Sequence, residues 1–125
     1  MLTPVYAAIL ALVFVFLSVR TLRLRQKKRI IIGSQDDQQL ARAIRAHSNF
    51  AEYTPIALIL IYMLEAQTQS TVLIHILGLA LIAGRLIHAF GISQITENIR
   101  FRVAGMALTF ACIISASIRL LINSL

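Results

Sequence analysis

Four polar side chains recur on one side of the second apolar stretch of this sequence. They are Arg42, Arg45, Asn49 and Glu52, spaced by 3, 4 and 3 residues. On a helix, which turns by about 100° per residue, they fall within an arc of roughly 80°. Such groups are costly in a membrane unless they face protein or a water-filled cavity. The pattern predicts either an internal salt-bridge stripe, such as Arg45 with Glu52, or a polar cavity whose excess positive charge accepts an anion.

Further basic residues stand near the ends of the third and fourth apolar stretches. Arg85 and His88 are three residues apart and share one helix face. Arg100 and Arg102 open the fourth stretch and point about 200° apart on a helix. We expect one of them to reach the lipid head groups and the other to point inward. When the helices cross the membrane in alternating directions, all these groups lie on the same side of it. The sequence therefore predicts one basic pocket with apolar residues below it.

Other chemistries have little support in the sequence. It contains no glycine-rich phosphate loop and no Ser/His/Asp arrangement in a credible context. His47, His75 and His88 lack the spacing of a metal or haem site, so we expect no metal. The single cysteine, Cys112, lies in an apolar segment and is expected to pack as a small apolar residue.

Four apolar stretches must position these residues. Of the 125 residues, 58% are hydrophobic and 14% are charged, whereas soluble domains carry about 25% charged residues. Each stretch approaches the ~20 residues that cross a ~30 Å hydrocarbon core, where helices satisfy their own backbone hydrogen bonds. The sequence therefore predicts an all-α, four-helix integral membrane bundle that forms one domain, residues 1–125. The predicted spans are residues 2–19, 38–64, 71–90 and 101–122.

The charge distribution predicts the partners and the topology. A net charge of +7 would suit nucleic acid, but the basic residues lie between long apolar runs, so we expect no nucleic-acid partner. Anionic lipid head groups or an anionic small molecule fit better. Eleven basic residues fall on the side of the first and third connections, and only Arg119 falls on the other. The positive-inside rule then places these connections in the cytoplasm and both termini on the opposite side.

A central motif resembles that of a known family. The stretch from Arg45 to Pro55 reads Arg-Ala-His-Ser-Asn-Phe-Ala-Glu-Tyr-Thr-Pro. It resembles the signature of the MAPEG superfamily, the membrane-associated proteins in eicosanoid and glutathione metabolism, which is Arg-Ala-x-x-Asn-x-x-Glu followed closely by Pro. The similarity continues in residues 22–25, 84–88 and 102–106 and covers almost the whole chain. The small bacterial members are the most similar, so a bacterial inner membrane is the expected location.

This resemblance implies a function and a set of site residues. It implies a homotrimer in a lipid bilayer that binds glutathione between neighbouring subunits, near the cytoplasmic side. The activities implied are transfer of glutathione to lipophilic electrophiles, peroxide reduction or isomerisation of lipid mediators. Arg102 corresponds to the family arginine that activates the thiol, and is the predicted catalytic residue. The predicted glutathione-binding residues are Arg23, Arg42, Arg45, Asn49, Glu52, Arg85 and His88.

The sequence departs from the eicosanoid-forming members at several places near this site. Ile92 and Met106 stand where those members carry tyrosines that contact the tripeptide. Ser48 replaces an arginine found in some members, and Val103 follows the activating arginine where a catalytic residue has been proposed. These differences argue against prostaglandin or leukotriene synthesis, and they leave another thiol in place of glutathione as an alternative.

Two other kinds of function fit four short spans. One is a membrane scaffold or binding protein without turnover, whose basic pocket holds an anionic ligand or a lipid head group. The other is a small multidrug transporter. That class needs a carboxylate in its first helix, and residues 2–19 contain none, so the transporter is the weaker alternative.

Overall fold

The computed structural model describes all residues 1–125, and they form four helices joined by short connections. The helices are α1 (Thr3–Lys28), α2 (Gln38–Gln67), α3 (Thr71–Ser93) and α4 (Ile99–Ser124). Each helix extends past the end of the predicted span. The extension is largest in α1, where the basic segment after Val19 continues the helix to Lys28, because arginine, lysine and leucine are good helix formers.

The surface of the bundle is that of a membrane protein. Three helices, α1, α3 and α4, are long and apolar enough to cross a membrane. Large apolar side chains such as Leu12, Phe16, Val72 and Leu121 lie exposed on the outside of these helices. A contiguous apolar surface of this extent is suited to lipid. The predicted all-α integral membrane bundle is thereby confirmed. The passage of α2 through the bilayer stays a prediction, because this helix is not among those three and carries Arg42, Arg45, Glu52 and Glu65.

The interior contains a continuous apolar core from all four helices. Buried aliphatic side chains fill it, with Phe50 and the thiol of Cys112 among them. Cys112 Sγ contacts the carbonyl of Leu77 at 3.5 Å, so the cysteine packs between α3 and α4. Two histidines attach α1 to its neighbours: His47 Nε2 bonds with Ser18 Oγ at 2.9 Å, and His75 Nδ1 bonds with Tyr6 at 2.5 Å.

Polar side chains cap the starts of three of the helices. Asp37, Ser70 and Asn98 accept hydrogen bonds from backbone N–H groups in the first turns of α2, α3 and α4, as N-cap residues do. The start of α1 has no such cap of its own. Instead, Glu65 near the end of α2 accepts hydrogen bonds from the backbone N–H groups of Leu2 and Thr3. A carboxylate here also complements the positive end of the helix dipole.

The closest helix pair is α3 with α4. A Cβ atom added to Gly105 would lie 2.6 Å from the carbonyl oxygen of Gly84 and 2.6 Å from backbone and side-chain atoms of His88. Glycine is therefore required at this crossing, because only the missing side chain lets the two backbones approach. This contact sets the register of α3 against α4, and with it the relative position of His88 and the first turns of α4.

The two ends of the bundle differ in charge. The connection between α3 and α4 meets the start of α2 through an ion pair between Arg42 and Glu97, 3.2 Å apart. The α1–α2 connection lies at this same end, where Lys28 pairs with Asp37 at 2.6 Å. At the opposite end, Arg119 is the single basic residue in α4 beyond Arg102. Antiparallel packing thus gathers most of the basic side chains at one end.

Candidate functional site

A cavity of about 690 Å³ opens between α2, α3 and α4 near the basic end. Its volume lies within the range of small-molecule sites. Four residues predicted from the sequence line it together: Arg45, Asn49, His88 and Arg102. The other lining residues are Tyr53, Ile92, Ile99, Val103, Met106, Ala107 and Phe110. Residues from three helices therefore line one basic pocket, as the sequence predicted.

Helical spacing explains how α2 lines the cavity. Arg45, Asn49 and Tyr53 are successive fourth residues, so their side chains lie one above another along one face. Asn49 is buried, whereas Arg45 is more than half exposed at the rim. The same spacing arranges Arg102, Met106 and Phe110 along α4. The cavity therefore runs from a cationic rim to an aromatic inner end.

Arg85 lies behind the cavity wall and is fully buried, with 1% of its surface exposed. Its Nη1 donates to the side-chain oxygen of Asn49 at 2.6 Å, and its Nε donates to Thr109 Oγ1 at 2.9 Å. The guanidinium also lies 5.6 Å from the centre of the Tyr53 ring, a cation–π contact, and Nη2 contacts Met106 Sδ at 3.2 Å. Arg85 therefore connects three helices and supports the residues that line the cavity.

Arg102 and Arg42 share one carboxylate at the rim. Glu97 Oε1 accepts from Arg102 Nη1 at 2.8 Å and lies 3.2 Å from Arg42 Nη1. Arg42 also donates to the carbonyl of Ile92 at 3.1 Å. Arg102 is thus the inward-pointing arginine of the pair that opens α4, whereas Arg100 is exposed. The Nε and Nη2 groups of Arg102 make no hydrogen bond within the protomer.

A second hollow of about 320 Å³ adjoins the cavity on the side of the α2 N-terminus. The two share Arg45, Ile92 and Arg102, and the second adds Arg42 and Gln38 to the polar lining. Three guanidinium groups therefore line the two adjoining hollows, with Glu97 against two of them and Glu52 3.8 Å from the third. This region carries a net positive charge and suits an anionic group.

Two predicted site residues, Glu52 and Arg23, do not line this space. The Glu52 side chain is 53% exposed and its nearest cation is Arg45, at 3.8 Å, so the salt-bridge stripe considered from the sequence is at most a loose surface pair. Arg23 lies on α1, in a separate hollow of about 250 Å³ that it shares with Arg20 and Lys27.

Sequence reasoning did not identify three residues of the site. Tyr53 and Phe110 pack edge to face, with ring centres 5.6 Å apart, at the inner end of the cavity. Tyr53 was detectable, since it continues the four-residue spacing of Arg45 and Asn49. Glu97 lies in a connection, where helical periodicity gives no signal. Its one sequence cue is that it is the only acidic residue in the α3–α4 connection.

The arrangement favours binding of an amphiphilic pair of ligands. His88 is buried and its ring makes no hydrogen bond within the protomer, so its nitrogens are available to a ligand. Arg45 and Arg102 offer charged donors, and Asn49 already accepts from Arg85. Beyond them, the apolar wall continues toward the lipid-facing side of α4, where Val103 and Phe110 are exposed.

The fold and the site define a helical integral membrane protein with a cationic cavity at one end of the bundle. Residues 3–122 match the sequence model of the MAPEG family. Over 114 residues, 91% of this chain and 86% of the relative, the chain is 35% identical to the inner membrane protein YecN of Escherichia coli strain K12. The protein of the same name from Escherichia coli O6:H1 strain CFT073 matches equally. The chain belongs to the MAPEG family, as the motif around Asn49 predicted.

Proposed function

We propose that this protein is a glutathione-dependent membrane enzyme of the transferase or peroxidase type. The observation that carries the proposal is the cavity of about 690 Å³, in which Arg45, His88 and Arg102 face a space with an apolar inner wall. Glutathione has two carboxylates and a thiol, so it needs several cationic contacts and room for a thiolate. Arg45, Arg42 and His88 bind the tripeptide in this proposal, and no metal takes part.

Arg102 activates the thiol. The nucleophile is the thiolate, and a free thiol has a pKa of about 8.5. A guanidinium held against the sulfur in a partly dehydrated site favours the ionised form, and each unit of pKa depression corresponds to about 1.4 kcal/mol. Arginine suits this role because it remains charged and does not act as a base. The free Nε and Nη2 donors of Arg102 support the assignment.

The second substrate is a lipophilic electrophile or peroxide that enters from the bilayer. The side chains of Val103 and Phe110 are exposed on the outside of α4 and also line the cavity. An apolar molecule can therefore reach the sulfur without crossing water. The thiol proton leaves to solvent when the thiolate forms. In the transfer reaction the thiolate bonds to an electrophilic carbon, and either a leaving group departs with its electron pair or, in an addition, the acceptor takes up a proton. In peroxide reduction the thiolate attacks one peroxide oxygen, the O–O bond breaks to release an alcohol after protonation, and a second glutathione reduces the resulting sulfenic acid to give the disulfide and water.

A homotrimer completes the site. Glu52 lies in the middle of α2 with its side chain 53% exposed, and an exposed carboxylate at membrane depth is costly. A neighbouring subunit, or a ligand held between subunits, removes that cost. Glu52 then pairs with the ammonium of glutathione and Arg23 reaches the carboxylates, as the family resemblance implies. Cross-linking in membranes tests the subunit number.

The basic end faces the cytoplasm in this proposal, and both termini lie on the opposite side of a bacterial inner membrane. The support is the concentration of arginine and lysine at the end that carries the α1–α2 and α3–α4 connections. This orientation places the cavity on the side where glutathione is abundant. A C-terminal reporter that works only outside the cytoplasm is therefore expected to be active. A C-terminal reporter that works only in the cytoplasm is expected to be inactive.

A second candidate is a binding scaffold without turnover, which one observation favours. Arg102 is already neutralised by Glu97 at 2.8 Å, so the guanidinium field is reduced before any ligand arrives. In this alternative the cavity holds a lipid head group, and the same residues bind a phosphate rather than a thiolate.

One titration separates these two functions. Purified protein is titrated with glutathione while the ultraviolet absorbance of the thiolate is recorded near neutral pH. The enzyme is expected to develop about one thiolate signal for each occupied cavity, and Arg102→Leu to lose it. Arg100→Leu is the matched control, because Arg100 is exposed two residues away and should leave the signal intact. No thiolate signal in the wild type, or an equal loss in both variants, contradicts the proposed function.

A further inference from the structure

Glu97 is the carboxylate that contacts two arginines of the cavity rim, Arg42 and Arg102. It stands in the α3–α4 connection, one residue before the N-cap Asn98. Its Oε1 accepts from Arg102 Nη1 at 2.8 Å and lies 3.2 Å from Arg42 Nη1. The side chain is 15% exposed, and its second oxygen, Oε2, is buried without a hydrogen-bond partner. One loop carboxylate therefore joins the start of α2 to the start of α4.

The contact fixes one edge of the Arg102 guanidinium and leaves the other edge free. Nη1 is bound to Glu97, whereas Nε and Nη2 have no partner and Arg102 lines the cavity. A long arginine side chain loses considerable rotamer freedom when it is fixed. An ion pair made before the ligand arrives means that this freedom is already lost, which is the basis of electrostatic preorganisation.

Glu97 also weakens the positive potential of the arginine that it holds in place. Its negative charge lies beside Arg102 and Arg42, so it weakens the attraction of this region for an anion. The two effects have opposite signs and can be separated by mutation. A glutamine keeps an oxygen that accepts from Arg102 but removes the charge. An alanine removes both the charge and the contact.

We propose that Glu97 is a positioning residue, which holds Arg102 so that its free edge faces the sulfur in the cavity, and whose charge limits how strongly that sulfur ionises. The inference rests on the proposed function for its biological meaning. It concerns this chain's own arginines, however, and can be tested without glutathione.

A cysteine placed in the cavity reports the effect of Glu97 directly. Ile92 lines both connected hollows together with Arg102, so Ile92→Cys puts a thiol in the space that the Arg102 guanidinium faces. Cys112→Ala removes the native thiol from the background. The readout is the pH midpoint for alkylation of the new thiol by iodoacetamide in the detergent-purified protein, expected below the ~8.5 of a free thiol.

Glu97→Gln is expected to lower this midpoint by about half a pH unit, because the guanidinium stays aimed while the opposing charge is gone. Glu97→Ala is expected to raise it by about half a pH unit, because Arg102 loses its orientation. Glu97→Asp keeps the charge but is one methylene shorter, so it is also expected to raise the midpoint. In an Arg102→Leu background, glutamine and alanine should act alike.

Shifts in the same direction for Glu97→Gln and Glu97→Ala, with Arg102 present, would overturn the inference, since Glu97 would then act through charge alone. Unchanged midpoints in all three variants would overturn it equally. If Glu97→Ala does not fold, the opposite shifts of the glutamine and aspartate variants decide the matter. If the cysteine-bearing variants show these shifts but the wild-type protein binds no glutathione, the proposed function is refuted and the role of Glu97 stays intact.

Discussion

The side-chain oxygen of Asn49 accepts a hydrogen bond of 2.6 Å from the buried guanidinium of Arg85. This contact joins the central motif of α2 to α3, and the bond from Arg85 Nε to Thr109 extends the connection to α4. Both arginine and asparagine were predicted to face a ligand. Arg85 donates to Asn49 and Thr109 within the protein, so its role in the structure is to hold the cavity walls together.

Thr109→Val should destabilise the protein. The Thr109 hydroxyl accepts from Arg85 Nε and donates to the Gly105 carbonyl, each at 2.9 Å. Valine has the same shape but leaves the buried Nε–H without a partner, a loss of about 1.5–3 kcal/mol for a hydrogen bond to a charged group. Thr109→Ser keeps the hydroxyl and should lose only about 1 kcal/mol for the missing methyl. Thermal unfolding in detergent measures both, and equal losses would contradict the role given to the hydroxyl.

Gly105→Ala should separate α3 from α4. The new methyl group would lie 2.6 Å from the Gly84 carbonyl and from His88, and a backbone atom cannot move aside cheaply. Overpacking of this kind costs about 1–3 kcal/mol. Ser115→Ala, at an exposed position of the same helix, is the control for the change in helix propensity. An unfolding temperature for Gly105→Ala at or above that of the control would show that this crossing is not tight.

Asp37→Asn should reduce stability in a pH-dependent way. The Lys28 ammonium, at 2.6 Å, and the Leu40 N–H hold the pKa of the Asp37 carboxyl below its ordinary value of 3.8. A depressed pKa in the folded state contributes stability above the unfolded pKa, and this stability is lost as the pH falls through the folded value. The asparagine can still cap α2, so the variant isolates the charge. Its unfolding temperature should fall below wild type at pH 6, and the gap should shrink below pH 3.8. A gap that is independent of pH would exclude this linkage.

Arg45→Leu should weaken glutathione binding. Arg45 lines both connected hollows, and a charge-assisted hydrogen bond to a carboxylate contributes about 1.5–3 kcal/mol, or roughly a 10- to 100-fold change in Kd. Arg119→Leu removes a cation from the opposite end of α4 and should leave the Kd unchanged. Isothermal titration gives both values. If the two variants bind alike, general charge rather than Arg45 attracts the ligand.

Periodicity along single helices was the most informative feature of the sequence. It placed Arg45 and Asn49 on one face of α2, because residues four apart in a helix lie above one another. It also showed that Arg100 and Arg102 point apart, but not which of them is the inner one. It could not separate Asn49 from Glu52, which fall in the same arc. Neighbouring helices cover one edge of that arc, where Arg85 of α3 donates to Asn49, and leave Glu52 at the other edge exposed. Spacing within α2 alone does not show which edge is covered.

Contacts made by connections were beyond the reach of the sequence. Glu97 pairs with Arg42 and Arg102 across the end of the bundle, and no repeating pattern marks a loop residue. The sequence also did not show which of the charged side chains are buried. Arg85 and Arg102 both read as basic residues near a helix end, but one is enclosed by Asn49 and Thr109 while the other reaches the cavity.

A crystal structure of the protein in a lipid mesophase with saturating glutathione tests the central claim most directly. The account predicts density for the tripeptide in the cavity, with a carboxylate on Arg45 and the sulfur within hydrogen-bond distance of the free edge of Arg102. Density for a lipid phosphate at these residues, or a cavity that holds only solvent at saturating glutathione, would contradict it.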